Sequence, residues 1–344
     1  MRHAMKTTGA TALGGLVLSC GTALAGPVNA NHVPGSAKWV AHVDLEAAGG
    51  TEIGRFMLDM IERESDGYAD IRKGIRGFTL SPEGGLRGIT IFGRELDEES
   101  EDFVALVYGD ERIASWGDEI RAKMLEHGYD APKIEADGNR VLIVPADEDN
   151  PIFASMARSG GDHVWIVTRS ANRSGRGASF ISGGGKTNED LASLGWKSGT
   201  IAFAAVENPS ELADFDDVSH IAEQAERVMA RVGEAGGEVF AEARLDTHDP
   251  KQADQIARMA DGLLALGALM SAEDQELARV MEFARGIRVR AEDGSLLVSM
   301  SHSAAELKGL IVEMNGDDGD WDEHDADDWD DDHNDDDDFW GDDG

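Results

Sequence analysis

From Gly316 to the last residue, Gly344, the chain carries sixteen Asp, one Glu and no Lys or Arg. Charges of one sign packed this densely repel. Trp321, Trp329, Phe339 and Trp340 offer too little apolar surface to offset a backbone ordering cost of about 1–2 kcal/mol per residue. Residues 316–344 are therefore expected to stay disordered, and the foldable part to end near Asn315. The formal net charge is -37; setting aside the tail's seventeen acids leaves -20 for the rest, so the body is acidic too. That balance argues against nucleic-acid or anionic-membrane binding and suits a saline habitat, where salt screens self-repulsion.

The tail's carboxylates are hard oxygen donors of the kind Ca²⁺ and Mg²⁺ prefer. Asp318, Asp320 and Asp322 follow the alternate spacing of an EF-hand loop, but Glu323 stands where its glycine belongs and Trp329 where its bidentate acid belongs. A preformed loop is excluded. The expectation is weak, salt-sensitive association of divalent cations, with His324 and His333 adding some affinity for transition metals. Aromatic residues spaced through acid also suit a partner-contacting arm, and a purely solubilising tail is the plain alternative.

At the other end, Met1 to Lys6 is basic, Thr7 to Leu24 is small and apolar, and Ala23-Leu24-Ala25 has the small-x-small form that a signal peptidase reads. Cleavage is expected before Gly26, giving a secreted or periplasmic protein. The competing route is Val17-Leu18-Ser19-Cys20, which resembles a lipobox and would leave a lipid-anchored Cys20. Cys20 is the only cysteine, so cleavage after Ala25 leaves none, and stability must come from burial rather than disulfides. No transmembrane segment is expected in the mature chain: its most apolar stretch, Leu263 to Met270, is too short to span.

The body reads as two α+β units of mainly antiparallel sheet with packed helices, over residues 26–195 and 196–315. Lys38 to Asp44 alternates like a strand, and Ile53, Phe56, Met57, Met60 and Ile61 follow at helical spacing. Thr200 to Val206 repeats that opening, with Ile221, Ala225, Val228, Met229 and Val232 expected as its helix. Next in the first unit come a strand over Asp102 to Tyr108, a helix over Asp118 to Met124, strands about Asp137-Gly138 and a helix from Asn150-Pro151. The second unit offers a strand over Glu238 to Leu245, a helix opening at Asp249-Pro250, strands about Asp293-Gly294 and a helix after Ser303-Ala304-Ala305-Glu306, a capping box. Both Asp-Gly pairs are type I′ turn signals. Ala272 to Arg285 reads as an extra helix of the second unit, Arg76 to Leu80 with Leu86 to Phe92 as an extra hairpin of the first, and Ser170 to Asn188 as a long loop. The recurring order suggests an internal duplication; a common α+β order arising twice is the alternative.

Few motifs carry chemistry. Gly185-Lys186-Thr187 resembles the end of a phosphate-binding P-loop, but the first required glycine is Phe180, and a flexible loop is preferred. His42 and Asp44, two apart on the first strand, face one side and form a candidate acid/base pair; strand packing for His42 and a cap or turn for Asp44 is the structural alternative. Asp162-His163 and His220 are scattered further candidates. No spacing brings a nucleophile, metal or second carboxylate to any of them.

The opening Val33 to Leu45, with the strand and amphipathic helix around Asp246-Thr247-His248-Asp249, resembles exported bacterial proteins built of α+β units. The likeness implies export and architecture and carries no activity. The expectation is a non-enzymatic binding or structural protein of the envelope or extracellular space, with no cofactor and an unidentified partner. An envelope hydrolase using His42 and Asp44 is the alternative.

Overall fold

The computed structural model describes residues 28–64, 84–95, 102–126, 133–136, 139–145, 151–183, 185–188, 191, 196–211, 224–270, 284 and 286–316. Within them twelve strands form one sheet, every neighbouring pair antiparallel. These are β1 Trp39–Asp44, β2 Leu86–Gly93, β3 Val104–Gly109, β4 Lys133–Ala136, β5 Asn139–Pro145, β6 Pro151–Ser159, β7 Asp162–Thr168, β8 Thr200–Glu207, β9 Ala225–Ala235, β10 Glu238–Thr247, β11 Arg288–Glu292 and β12 Ser295–Ser303. Six helices accompany them: α1 Leu45–Gly49, α2 Glu52–Glu64, α3 Trp116–Glu126, α4 Ala171–Ile181, α5 Pro250–Met270 and α6 Ala304–Gly316. The protein is thus α+β, as its sequence implies.

The strands run in the order β11-β12-β10-β9-β8-β1-β2-β3-β7-β6-β5-β4. β1 and β8 meet at the centre. Outwards from that seam the order is β1-β2-β3-β7-β6 on one side and β8-β9-β10-β12-β11 on the other. β1 is buried at five of its six residues, as a central strand covered on both faces must be. β11 is charged and half exposed, with Arg288, Arg290 and Glu292 blunting the free edge against further pairing.

Alternation along the strands divides the core between the two faces. Val40, Phe92, Leu106, Val164, Ile166, Phe203 and Ala205 pack with Ala178 and Ile181 of α4. Val43, Leu86, Ile201 and Ala202 pack with Leu45, Ile53, Leu58 and Ala304 from α1, α2 and α6. Neighbours such as Ala202 and Phe203 lie in different clusters because consecutive strand side chains point to opposite faces.

Several helix signals act as the sequence implies. Asp44 accepts the Ala47 amide at 2.8 Å to start α1, Asp249 accepts the Lys251 amide at 3.0 Å at the start of α5, and Ser303 accepts the Glu306 amide at 3.2 Å in α6. Asp293 and Gly294, at φ 51° and 81°, form the β11–β12 turn. The Asp137-Gly138 pair, Arg76 to Leu80, Ile221 and the Ala272 to Arg285 segment apart from Ala284 lie outside the described residues, although β4 and β5 on either side of Asp137-Gly138 do pair. Leu86 to Phe92, expected in an extra hairpin, is strand β2 with both edges taken by β1 and β3.

Three expectations are corrected. The stretch from Ala225 to Val232 is strand β9, not helix, and Pro151 opens strand β6, not a helix. Apolar residues four apart satisfy a period of two as well as one near 3.6, so Ala225, Met229 and Gly233 line one strand face. Gly160-Gly161 and Gly236-Gly237, all at positive φ, then close two-residue hairpins onto β7 and β10. Thirdly, the Ser/Gly-rich stretch after Ser170 is helix α4 rather than loop. Its small residues serve close packing: Ser174, Gly175 and Ala178 are buried against the sheet. A Cβ on Gly177 would sit 2.8 Å from the Ile166 methyl.

Candidate functional site

His42 is opposite Thr90 in the β1–β2 register, and its Nδ1 lies 2.8 Å from the Thr90 hydroxyl. Thr90 also hydrogen-bonds Tyr108 on β3. The Tyr108 hydroxyl is 3.2 Å from His32 Nδ1, and His32 Nε2 is 2.9 Å from the Ser159 hydroxyl at the end of β6. The two rings stack, 5.7 Å between centroids and 4° apart in plane. A buried polar chain, Ser159–His32–Tyr108–Thr90–His42, therefore crosses one face of the sheet. It borders a cavity of about 410 Å³ that Glu46, Arg87 and Asp162 also line. Burial pushes His32 down to about 4, so it is uncharged at neutral pH, and pushes the Tyr108 hydroxyl well above its ordinary value.

Asp44 takes a different role from its strand neighbour. Its carboxyl caps α1, and burial raises it to about 7 despite the amide bond from Ala47, with Glu46 adding a smaller upward push. His42 is tied to Thr90 and Asp44 to the Ala47 amide, each on its own partner. The Trp196 ring meets the His42 ring in an edge-type contact and the Phe203 ring lies tilted at 39° to it. Asp162 pairs with Arg87 at 2.6 Å, whereas the neighbouring His163 is buried elsewhere, its two ring nitrogens finding no partner among the described residues. His220, Asp318, Asp320, Asp322, His324 and His333 lie outside the described residues.

A larger cavity, about 600 Å³, opens beside the first and shares His32 with it. Its walls are α4, the ends of β2 and β3, and the segment from His32 to Ala37. That last wall is fixed by residues 185–188: Gly35 donates to the Lys186 carbonyl at 2.7 Å and Asn188 to the Val33 carbonyl at 2.9 Å. The Gly-Lys-Thr triplet thus follows the end of a helix and braces the N-terminal segment, which is not the strand-to-helix setting a phosphate loop requires.

Charge is concentrated at this cavity. Arg94 chelates Asp102 through Nε at 2.8 Å and Nη2 at 2.7 Å, its own amide adds a third bond at 3.1 Å, and Arg173 of α4 pairs with the same carboxylate. Burial pushes the Asp102 carboxyl up, but the Arg94 hydrogen bonds and the two guanidinium charges outweigh it and hold the group below the usual carboxylate range. None of these residues stands out in the sequence. The available signal was Arg173, Arg176 and Phe180, spaced along one helical face inside a stretch whose Gly and Ser content disguises the helix.

Among the described residues no three His, Cys, Asp or Glu side chains come together as metal ligands, and no helix is long and apolar enough to cross a membrane.

Fold and site together define an α+β protein with one antiparallel sheet and two adjoining cavities on one sheet face. No family model and no curated protein matches the chain. Among solved structures it is similar to TP0453 of Treponema pallidum. Crystal form III matches at a TM-score of 0.45 and 12% identity, over 83% of this chain and 98% of that one. Crystal form I matches at 0.42 and 11%, over 84% and 98%.

Proposed function

We propose that the protein is an exported, non-enzymatic binding protein of the cell envelope or extracellular space, with the α4 cavity as its ligand site and the Asp-rich tail as a cation- or partner-attracting arm. The observation that carries this reading is the cavity itself, a concave space of about 600 Å³ with an apolar floor and converging charged side chains. Volumes and linings of that kind are typical of small-molecule sites.

The alternative, a hydrolase using His42 and Asp44, draws support from His42 bordering the smaller cavity. Against it, Asp44 is occupied as a helix cap and His42 as a strand-packing residue bonded to Thr90. Screening the purified protein against esterase, phosphatase, glycosidase and peptidase substrates separates the two. Binding predicts no turnover above background; robust turnover lost in His42→Ala would establish the hydrolase.

Export rests on the order of basic, apolar and Ala-x-Ala segments, and N-terminal sequencing of the mature protein should start at Gly26. The matching strand orders on the two sides of the β1–β8 seam support an internal duplication. In that comparison β6–β7 and α4 correspond to β11–β12 and α6, and β4–β5 is an addition to the first unit.

A further inference from the structure

One side chain divides the two cavities: among the described residues only His32 lines both, and it is 4% exposed. After it the chain is pinned. Val33 is fully buried and its carbonyl accepts the Asn188 amide, Gly35 donates to the Lys186 carbonyl, and Lys38 donates to the Gly93 carbonyl at 2.8 Å. Residues 28–32 are held differently. They make one short helical turn over Ala30–His32 and rest Val28 and Ala30, half-buried, on the core. Among the described residues their hydrogen bonds to the sheet all run through the His32 ring. Val28 and Asn29 complete this wall of the smaller cavity.

Those bonds need an uncharged ring. Asn29 Oδ1 accepts the Asn31 amide at 3.1 Å, which turns the Asn29 NH2 group towards His32 Nε2, also at 3.1 Å. An amide NH2 only donates, so Nε2 accepts and the ring proton sits on Nδ1, donated to the Tyr108 hydroxyl. A second proton on Nε2 would set N–H against N–H and leave the Ser159 hydroxyl as its one acceptor. It would also put a full charge in a buried site. On the smaller cavity's side that site faces Asp162 of β7, ion-paired with Arg87 of β2, and Glu46 of α1, His42 of β1 and Tyr108 of β3. On the other side stand Arg94, Asp102, Arg173 and Arg176. Asp162 and Glu46 would favour an imidazolium, but burial outweighs them and lowers His32 from 6.5 to about 4.

We propose that residues 28–32 are a flap hinged at Val33 and latched by His32, and that charging the His32 ring in mild acid releases the latch, lifts the flap and joins the two cavities into one trough. At neutral pH the flap keeps them apart. The joined spaces, about 600 Å³ and 410 Å³, would take a longer ligand than either alone. The device goes beyond the reading of the protein as a binding protein and does not depend on it.

Hydrogen–deuterium exchange of the full-length protein tests it, with rates at pH 7.5 and pH 5 each divided by the intrinsic rate at that pH. The His32 and Val33 amides, bonded to the Asn29 and Ala30 carbonyls, report on the flap, because one turn released from the sheet does not hold its bonds. The amides of β1 report on the sheet. A ring that titrates near 6.5 once released favours opening about tenfold per pH unit below that value, hence about thirtyfold at pH 5. Flap protection should fall by that factor while β1 keeps its own. His32→Gln, which takes up no charge, should lose the acid response. If that variant is open at both pH values, Tyr108→Phe decides: without an acceptor for Nδ1–H the flap should already be about tenfold less protected at pH 7.5, and open further in acid. Equal flap protection at the two pH values, an acid response that survives His32→Gln, a flap unchanged by Tyr108→Phe, or a loss shared equally by β1 would overturn the proposal.

Discussion

Asp44 has two effects on stability that can be separated by substitution. Its side chain caps α1, a role worth about 1 kcal/mol that Asn fills equally well. Its charge is unwelcome, because burial raises the carboxyl from 3.8 to about 7. For an acid with a raised folded value, the favourable contribution is fully present below the unfolded value and lost as pH rises through the folded one. Asp44→Asn should therefore melt near the wild type at pH 4 and increasingly above it towards pH 7, the difference levelling off beyond. A constant gap across that range in paired thermal melts would contradict the assignment. His32 acts in the opposite sense, since its lowered value makes its contribution full above 6.5 and lost as pH falls towards 4, which is why the comparison is made against the wild type at each pH. Thr168 offers a simpler case. It is fully buried and its hydroxyl finds no partner among the described residues, so Thr168→Val should raise stability by about 1 kcal/mol in denaturant titrations. A loss of that size would reveal a partner for the hydroxyl.

Among the elements, α4 decides the shape of the larger cavity, and its approach to β7 depends on the missing side chain at position 177. Alanine there gains about 1 kcal/mol of helix propensity but pushes a methyl group into fully buried Ile166, and overpacking costs about 1–3 kcal/mol. Gly177→Ala should thus be net destabilising. Paired with Ile166→Ala it should cost less than the sum of the single changes, and strict additivity in that cycle would rule out the contact. The same helix shows why part of the molecule is legible in sequence and part is not. β1, β8, α2, α5 and α6 carry local signals, alternation or a cap followed by an apolar face, that tertiary packing does not oppose. α4 replaces an apolar face with Ser174, Gly175, Gly177 and Ala178, whose value lies in letting two backbones approach and appears only once β7 lies beneath them. β9 fails for another reason: spacing of four residues is shared by both periodicities, and only the Gly236-Gly237 turn breaks the tie. His42 and Asp44 are visible because they share a strand. The Arg94–Asp102–Arg173 cluster is assembled from the residue that follows β2, a turn residue ahead of β3 and α4, and no local pattern announces it.

For the whole molecule, charge and topology act on different lengths. The sequence of the tail, dense in Asp and without a complete EF-hand spacing, leads us to expect polyelectrolyte behaviour, so Ca²⁺ should associate weakly and release as NaCl rises. Calorimetric titration of the full-length protein at low and high NaCl checks this, and submicromolar binding that persists in high salt would demonstrate an ordered metal site. The sheet supplies the floor through β2 and β3, and the cavity is built where α4 and the N-terminal segment lean on it. The central claim is that this cavity holds a small molecule. Native mass spectrometry of the protein recovered from the cells that make it tests it most directly, beside Ser179→Trp, which places a bulky ring at an exposed cavity-lining position. The account predicts a small-molecule adduct on the wild type that disappears in the variant while both retain the same melting behaviour. A wild type without adduct, or an adduct that survives Ser179→Trp undiminished, would contradict it.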